Sequence, residues 1–97
     1  MEQRLGTTLV NARSLAGVGT TLAFPEWSLT VDLGVCTPAA LRTDLVALTH
    51  AHADHMSGVA QYLGVRALFG MKPCRFVVPE ASEADFRAVI EALGRLQ

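Results

Sequence analysis

Leu45-Val46-Ala47-Leu48-Thr49-His50-Ala51-His52-Ala53-Asp54-His55-Met56-Ser57-Gly58 joins an apolar run to a cluster of ligand-type side chains. Its first four residues are continuously apolar, the pattern of a strand buried on both faces. All three histidines of the chain then fall within six residues, together with Asp54. A cluster that follows a buried strand directly lies at the carboxyl end of a sheet, where α/β folds place their sites. Side chains alternate along an extended backbone, so His50 and His52 point the same way. Two imidazoles about 7 Å apart at their Cα atoms converge readily on one ion. Asp54 and His55 come where a helix begins and turn toward a second position nearby. Ala51 and Ala53 leave room, and Gly58 permits the close approach of another backbone.

The flanking sequence supplies the rest of an α/β layer. Thr20, Leu22 and Phe24 alternate with smaller residues up to Pro25, a strand closing into a turn. Leu29, Val31 and Leu33 alternate with Ser28, Thr30 and Asp32, the period of a half-buried strand, and Gly34 ends it. Thr37 to Leu41 suits one helical turn with Pro38 at its start. Beyond the cluster, Met56, Val59, Ala60 and Leu63 recur at helical spacing from about His55 to Leu63. Val65 to Met71 reads as either a further helical turn or a loop. Phe76-Val77-Val78 reads as a short strand between Pro73 and Pro79. Ser82 and Asp85 have the form of a capping box. Phe86, Val89, Ile90, Leu93 and Leu96 then form the apolar stripe of an amphipathic helix. Gly17-Val18-Gly19-Thr20-Thr21 lacks the lysine of a phosphate loop and leads into a strand, so it reads as a hairpin turn. The sum is helices packed on a mixed sheet.

The stretch Thr49 to Gly58 resembles the H-x-H-x-D-H signature of the metallo-β-lactamase superfamily. Within it, the likeness is to the T-H-x-H-x-D-H-x-x-G run of the ribonuclease Z and related phosphodiesterase branch. Asp32-Leu33-Gly34 is similar to the D-x-G that precedes that signature, and the resemblance runs from about Leu22 to Leu96. It implies a layered αββα fold, with residues 1–97 a single, incomplete domain forming roughly its N-terminal half. It implies two zinc ions, the first held by His50 and His52 and the second by Asp54 and His55; Mn2+ or Fe2+ suits the same ligand types. Asp32 is implied to stand behind the ligands and steady the histidine loop, a role compatible with capping a turn. Asp54 is also implied as a catalytic residue that orients the attacking water or accepts its proton. The implied reaction is hydrolysis by metal-activated water, of phosphodiesters rather than lactams or thioesters. The family pattern asks for a further His, a bridging Asp and a final His downstream. No histidine follows His55, and Asp85, the only later aspartate, falls in the Ser82 cap. The remaining ligands are expected from a C-terminal half or a partner chain, a second copy included.

Composition narrows the alternatives. Of 97 residues, 51% are hydrophobic and 18% charged, which excludes a disordered chain. No apolar run approaches the ~18 residues of a membrane span, and the N-terminus lacks a secretory pattern, so a cytoplasmic protein is expected. Eight Lys and Arg stand against nine Asp and Glu for a net charge of −1, without a basic cluster. The grip on RNA or another phosphodiester substrate is therefore not encoded in these residues, in keeping with the lack of the long tRNA-gripping arm of the resembling family. Cys36 and Cys74 are too few for a disulfide framework, and Cys36 reads as a small buried hydrophobe rather than a thiolate ligand. Two functions follow: a zinc-dependent phosphodiesterase completed by further ligands, or a truncated or degenerate non-catalytic module for metal binding or assembly.

Overall fold

The computed structural model describes residues 2–5, 8–15, 19–50 and 52–96; the side chain of Asp54 lies outside the described set. Six strands form one sheet in sequence order: β1 (Glu2–Leu5), β2 (Thr8–Leu15), β3 (Gly19–Phe24), β4 (Leu29–Leu33), β5 (Leu45–Ala47) and β6 (Arg75–Val77). The first four strands form an antiparallel meander. β4, β5 and β6 then run parallel, so the chain must cross over between them. α1 (Pro38–Leu41) makes the first crossover; α2 (Ala53–Met56) and α3 (Val59–Leu68) make the second. After β6, a 3-10 turn at Glu80–Ser82 leads into α4 (Glu83–Arg95). Among the described residues no helix is long and apolar enough to cross a membrane.

The expected strands and the Pro38 turn are present, with Thr37 Oγ1 accepting from the Ala40 amide at 3.1 Å to cap α1. The structure departs from these expectations in several places. β1 and β2 were not anticipated, because Glu2–Leu5 and Thr8–Leu15 mix polar and apolar residues without a clear period-2 signal. The helix expected from His55 to Leu63 is two helices broken at Ser57-Gly58, and the second continues to Leu68, which settles the ambiguous Val65–Met71 segment. Its buried face is Val59, Tyr62 and Arg66, whereas Ala60 is exposed. The capping box does not form: Ser82 ends a 3-10 turn with helical angles (φ −103°, ψ −4°), so its hydroxyl makes no cap hydrogen bond. The hairpin turn expected at Gly17–Thr21 falls partly on residues 16–18, outside the described residues; β2 and β3 on either side pair antiparallel from Leu15↔Gly19.

One hydrophobic cluster joins the helices to the sheet: Leu33, Ala40, Val46, Leu48, Val59, Tyr62 and Phe86. The opposite sheet face is apolar as well. Cross-strand partners share a face, so Leu22, Val31, Ala47 and Val77 form one row and Phe24, Leu29, Leu45 and Arg75 another. Every member of both rows is half-buried or exposed. The alternation of β4 is thus real but inverted in sense. Up to the bulge, Thr30, on the helix side, is the fully buried residue and shares a 2.7 Å hydrogen bond with the Thr43 hydroxyl, while Leu29 and Val31 face the less covered side.

The amino ends of β5 and β6 are tied by Arg66, which is 3% exposed. Its Nη1 donates to the carbonyls of Leu41 (2.8 Å) and Thr43 (2.9 Å). Its Nη2 donates to the Lys72 carbonyl and, at 2.9 Å, to Asp44 Oδ1. The Tyr62 hydroxyl also donates to the Thr43 carbonyl, at 2.7 Å, and the guanidinium lies 5.2 Å from the Tyr62 ring centre. Burial pushes the Tyr62 phenol well above its ordinary value. The Arg66 hydrogen bond, with help from Lys72, holds the Asp44 carboxyl below the usual carboxylate range.

A carboxyl whose folded pKa is depressed contributes stability above its unfolded pKa and loses it as pH falls through the folded value. Asp44→Asn is therefore expected to be less stable than the natural chain at neutral pH, with the difference shrinking below about pH 4. Urea unfolding at several pH values measures this; a difference independent of pH would show that the Asp44 charge has no part in it.

Candidate functional site

The site is built where β4 and β5 end. The pairings Thr21↔Leu33 and Leu22↔Val31 leave Asp32 as an extra residue in β4, a bulge. Asp32 takes a left-handed backbone, φ 60°, a conformation that costs most residues roughly 1–2 kcal/mol and that Asp tolerates better than most. Two consequences follow. Leu33 is shifted into the helix-side core, where it is fully buried. The Asp32 carboxylate, on a residue 5% exposed, is aimed at the segment that follows β5.

That carboxylate collects donors from the histidine loop. The Thr49 amide donates to Oδ1 at 2.7 Å, and the Thr49 hydroxyl lies 3.0 Å from Oδ1 and 2.8 Å from Oδ2. His55 Nδ1 lies 2.9 Å from Oδ2. An ionised carboxylate only accepts, so His55 carries its proton on Nδ1 in this contact. The loop closes on itself where the His55 amide donates to the His52 carbonyl at 2.9 Å, opening α2.

A second set of contacts fastens the loop after β4 to the loop after α2. The Gly58 amide donates to the Leu33 carbonyl at 2.8 Å, and the Ser57 hydroxyl to the Gly34 carbonyl at 2.7 Å. The buried Thr21 hydroxyl accepts from the Val35 amide at 3.0 Å and donates to the Val35 carbonyl at 2.7 Å. At Gly58 a Cβ would lie 2.7 Å from the Cys36 amide nitrogen, 2.8 Å from the Leu33 carbonyl oxygen and 2.9 Å from the Val35 carbonyl carbon. The close backbone approach expected of Gly58 is therefore present, and only glycine fits it.

The three histidine rings gather in one place. The His50 and His52 ring centres are 5.5 Å apart and stacked, and those of His50 and His55 are 4.9 Å apart. Asp54 lies in α2 between them in sequence. Neutral imidazoles are zinc ligands in kind, and a ligating His typically gives its other ring N–H to a carboxylate, as His55 does here. Among the described residues, whose side chains exclude that of Asp54, no three His, Cys, Asp or Glu groups are placed to close on one ion. Cys36 packs against the core, and burial raises its thiol pKa, which disfavours the thiolate a metal would need. Thr49 is the residue that sequence reading left without a role. Its signals in the sequence are its place as the first residue of the T-H-x-H-x-D-H-x-x-G run and its position between a buried strand and the first histidine.

No protein-family model matches the chain. Three curated proteins do. Over 87 residues it is 29% identical to tRNase Z TRZ1 of Arabidopsis thaliana, covering 90% of this chain and 31% of that protein. Over 71 residues it is 35% identical to nuclear ribonuclease Z of Triticum aestivum, covering 73% and 40%. Over 78 residues it is 31% identical to the chloroplastic tRNase Z TRZ2 of Arabidopsis thaliana, covering 80% and 22%. These relatives connect the chain to the metallo-β-lactamase superfamily. The chain is a distant homologue of the tRNase Z proteins, members of that superfamily, over most of its own length. It spans less than half the length of each of these relatives.

Gly58→Ala should destabilise the chain by about 2 kcal/mol or more, since all three atoms met by the new Cβ belong to backbone. A urea midpoint equal to that of the natural chain would show that the two loops separate freely.

Proposed function

We propose that this chain carries the histidine-loop part of a zinc-dependent phosphodiesterase of ribonuclease Z type. The observation that carries the reading is the left-handed Asp32 bulge, whose carboxylate binds both Thr49 and His55, the latter one of three clustered imidazoles. Strain of this kind, held in place by hydrogen bonds from a loop of ligand-type side chains, is characteristic of functional sites. Homology to proteins named tRNase Z and ribonuclease Z supplies the substrate class, an RNA phosphodiester.

In this reading His50 and His52 would hold one zinc ion, and Asp54 and His55 a second. Bound there, the metals supply an activated water and charge stabilisation at the phosphoryl oxygens. Asp32 keeps the His55 ring oriented with Nδ1 protonated. Asp54 orients the water or takes its proton. The ligands still required come from residues beyond these 97 or from a second chain. The apolar rows through Leu22–Val31–Ala47–Val77 and Phe24–Leu29–Leu45 favour a second sheet laid over that face, as an αββα arrangement requires. A second reading, a non-catalytic metal-binding or assembly module, is favoured by the lack of a three-group metal cluster among the described side chains.

Elemental analysis of protein stripped, reloaded with zinc and desalted tests the assignment, alongside cleavage of a model phosphodiester such as bis(p-nitrophenyl) phosphate. Zinc retained by the natural chain and reduced in His52→Ala is the expected result. Unchanged zinc content in His52→Ala overturns the ligand set. Zinc retention without cleavage, even with the segments that complete the relatives supplied, would favour the non-catalytic module.

A further inference from the structure

Thr49 Oγ1 stands between two groups of different character: the Asp32 carboxylate, at 2.8 and 3.0 Å, and His50 Nδ1, at 2.9 Å. A hydroxyl has one proton to give. An ionised carboxylate cannot donate, so if Thr49 gave its proton to His50 it would leave lone pairs facing each other across 2.8 Å at Asp32 Oδ2. The arrangement without that repulsion runs in one direction, from His50 Nδ1–H to Thr49 Oγ1 and from Thr49 Oγ1–H to Asp32. The Thr49 amide, bonded to the same carboxylate at 2.7 Å, holds the hydroxyl in register.

We propose that Thr49 is a positioning residue that relays the negative charge of Asp32 to His50, fixing the Nδ1–H tautomer and directing the Nε2 lone pair outward. One buried carboxylate thereby sets two imidazoles alike, His55 by direct contact and His50 through the hydroxyl. An unconstrained neutral imidazole in water favours the opposite, Nε2–H tautomer, which would close the outward nitrogen of His50 to any metal. The proposal rests on the reading of the histidine loop as a metal site, but the tautomer itself is a property of the metal-free protein.

The test separates the two. Long-range 1H–15N NMR at about pH 8, where ordinary imidazoles are neutral, reads each tautomer without metal. Nδ1–H is expected for His50 and His55 in the natural chain and in Thr49→Ser. In Thr49→Val, His50 should move toward Nε2–H while His55 stays unchanged, which also shows that the Asp32 contact and the fold survive. An Nε2–H signal for His50 in the natural chain, or an unchanged His50 in Thr49→Val, overturns the relay. Zinc affinity gives the second readout: about a tenfold or greater loss in Thr49→Val, restored in Thr49→Ser. The expected tautomers in a chain that binds no zinc would sink the metal assignment and leave the relay standing. Tight zinc binding with no response of His50 to Thr49→Val would do the reverse.

Discussion

A carboxylate removed from water must be met by donors, and Asp32 is the group on which the site turns. Its residue is 5% exposed, and one threonine and one histidine, both after β5, donate to it. Leaving a buried charged acceptor without such partners costs several kcal/mol, so folding of the sheet and ordering of the histidine loop are coupled. The bulge makes that coupling possible. In a regular strand the residue would sit in register with its neighbours, and its carboxylate would not be re-aimed at the following strand's loop. The same irregularity shifts Leu33 into the core, so one backbone distortion serves both packing and the site.

Much of this was legible from residue patterns. β3, β4, β5 and β6 followed from alternation, apolar runs and flanking prolines, and the Thr37-Pro38 start of α1 from its capping chemistry. The clustering of His50, His52 and His55 follows from chain proximity at a strand end. What escaped has physical reasons. Tyr62 and Arg66 form the buried face of α3 with Val59, yet a search for apolar spacing passes over a guanidinium whose two Nη groups are bonded to three carbonyls and a carboxylate. The sense of β4 was inverted because a threonine paired with another threonine tolerates full burial better than its polarity suggests. Ser82 failed as a cap because the preceding turn had already committed it to helical angles, which no spacing rule reveals.

The helix-covered side of the sheet is finished by one hydrophobic cluster and by polar groups that find partners within it. The other side is not covered to the same degree, and its apolar rows cross three and four strands in register. A sheet with a single packed face normally carries polar residues on the other. Here β3, β4 and β5 carry apolar residues on that face too, the pattern of strands covered on both sides.

Asp44 and Thr49 bracket β5, and they answer to different masters. Asp44 belongs to the guanidinium knot at one end, Thr49 to the Asp32 cradle at the other. Five residue steps along and beside a strand separate them by about 17 Å at most, beyond the range over which substitutions usually interact. The strand therefore acts as a strut between an anchorage and a workplace. Sequence drift at the Arg66 end changes how firmly the strut is held without redrawing the imidazole geometry. The histidine end can be remodelled for another substrate while the anchorage stays intact.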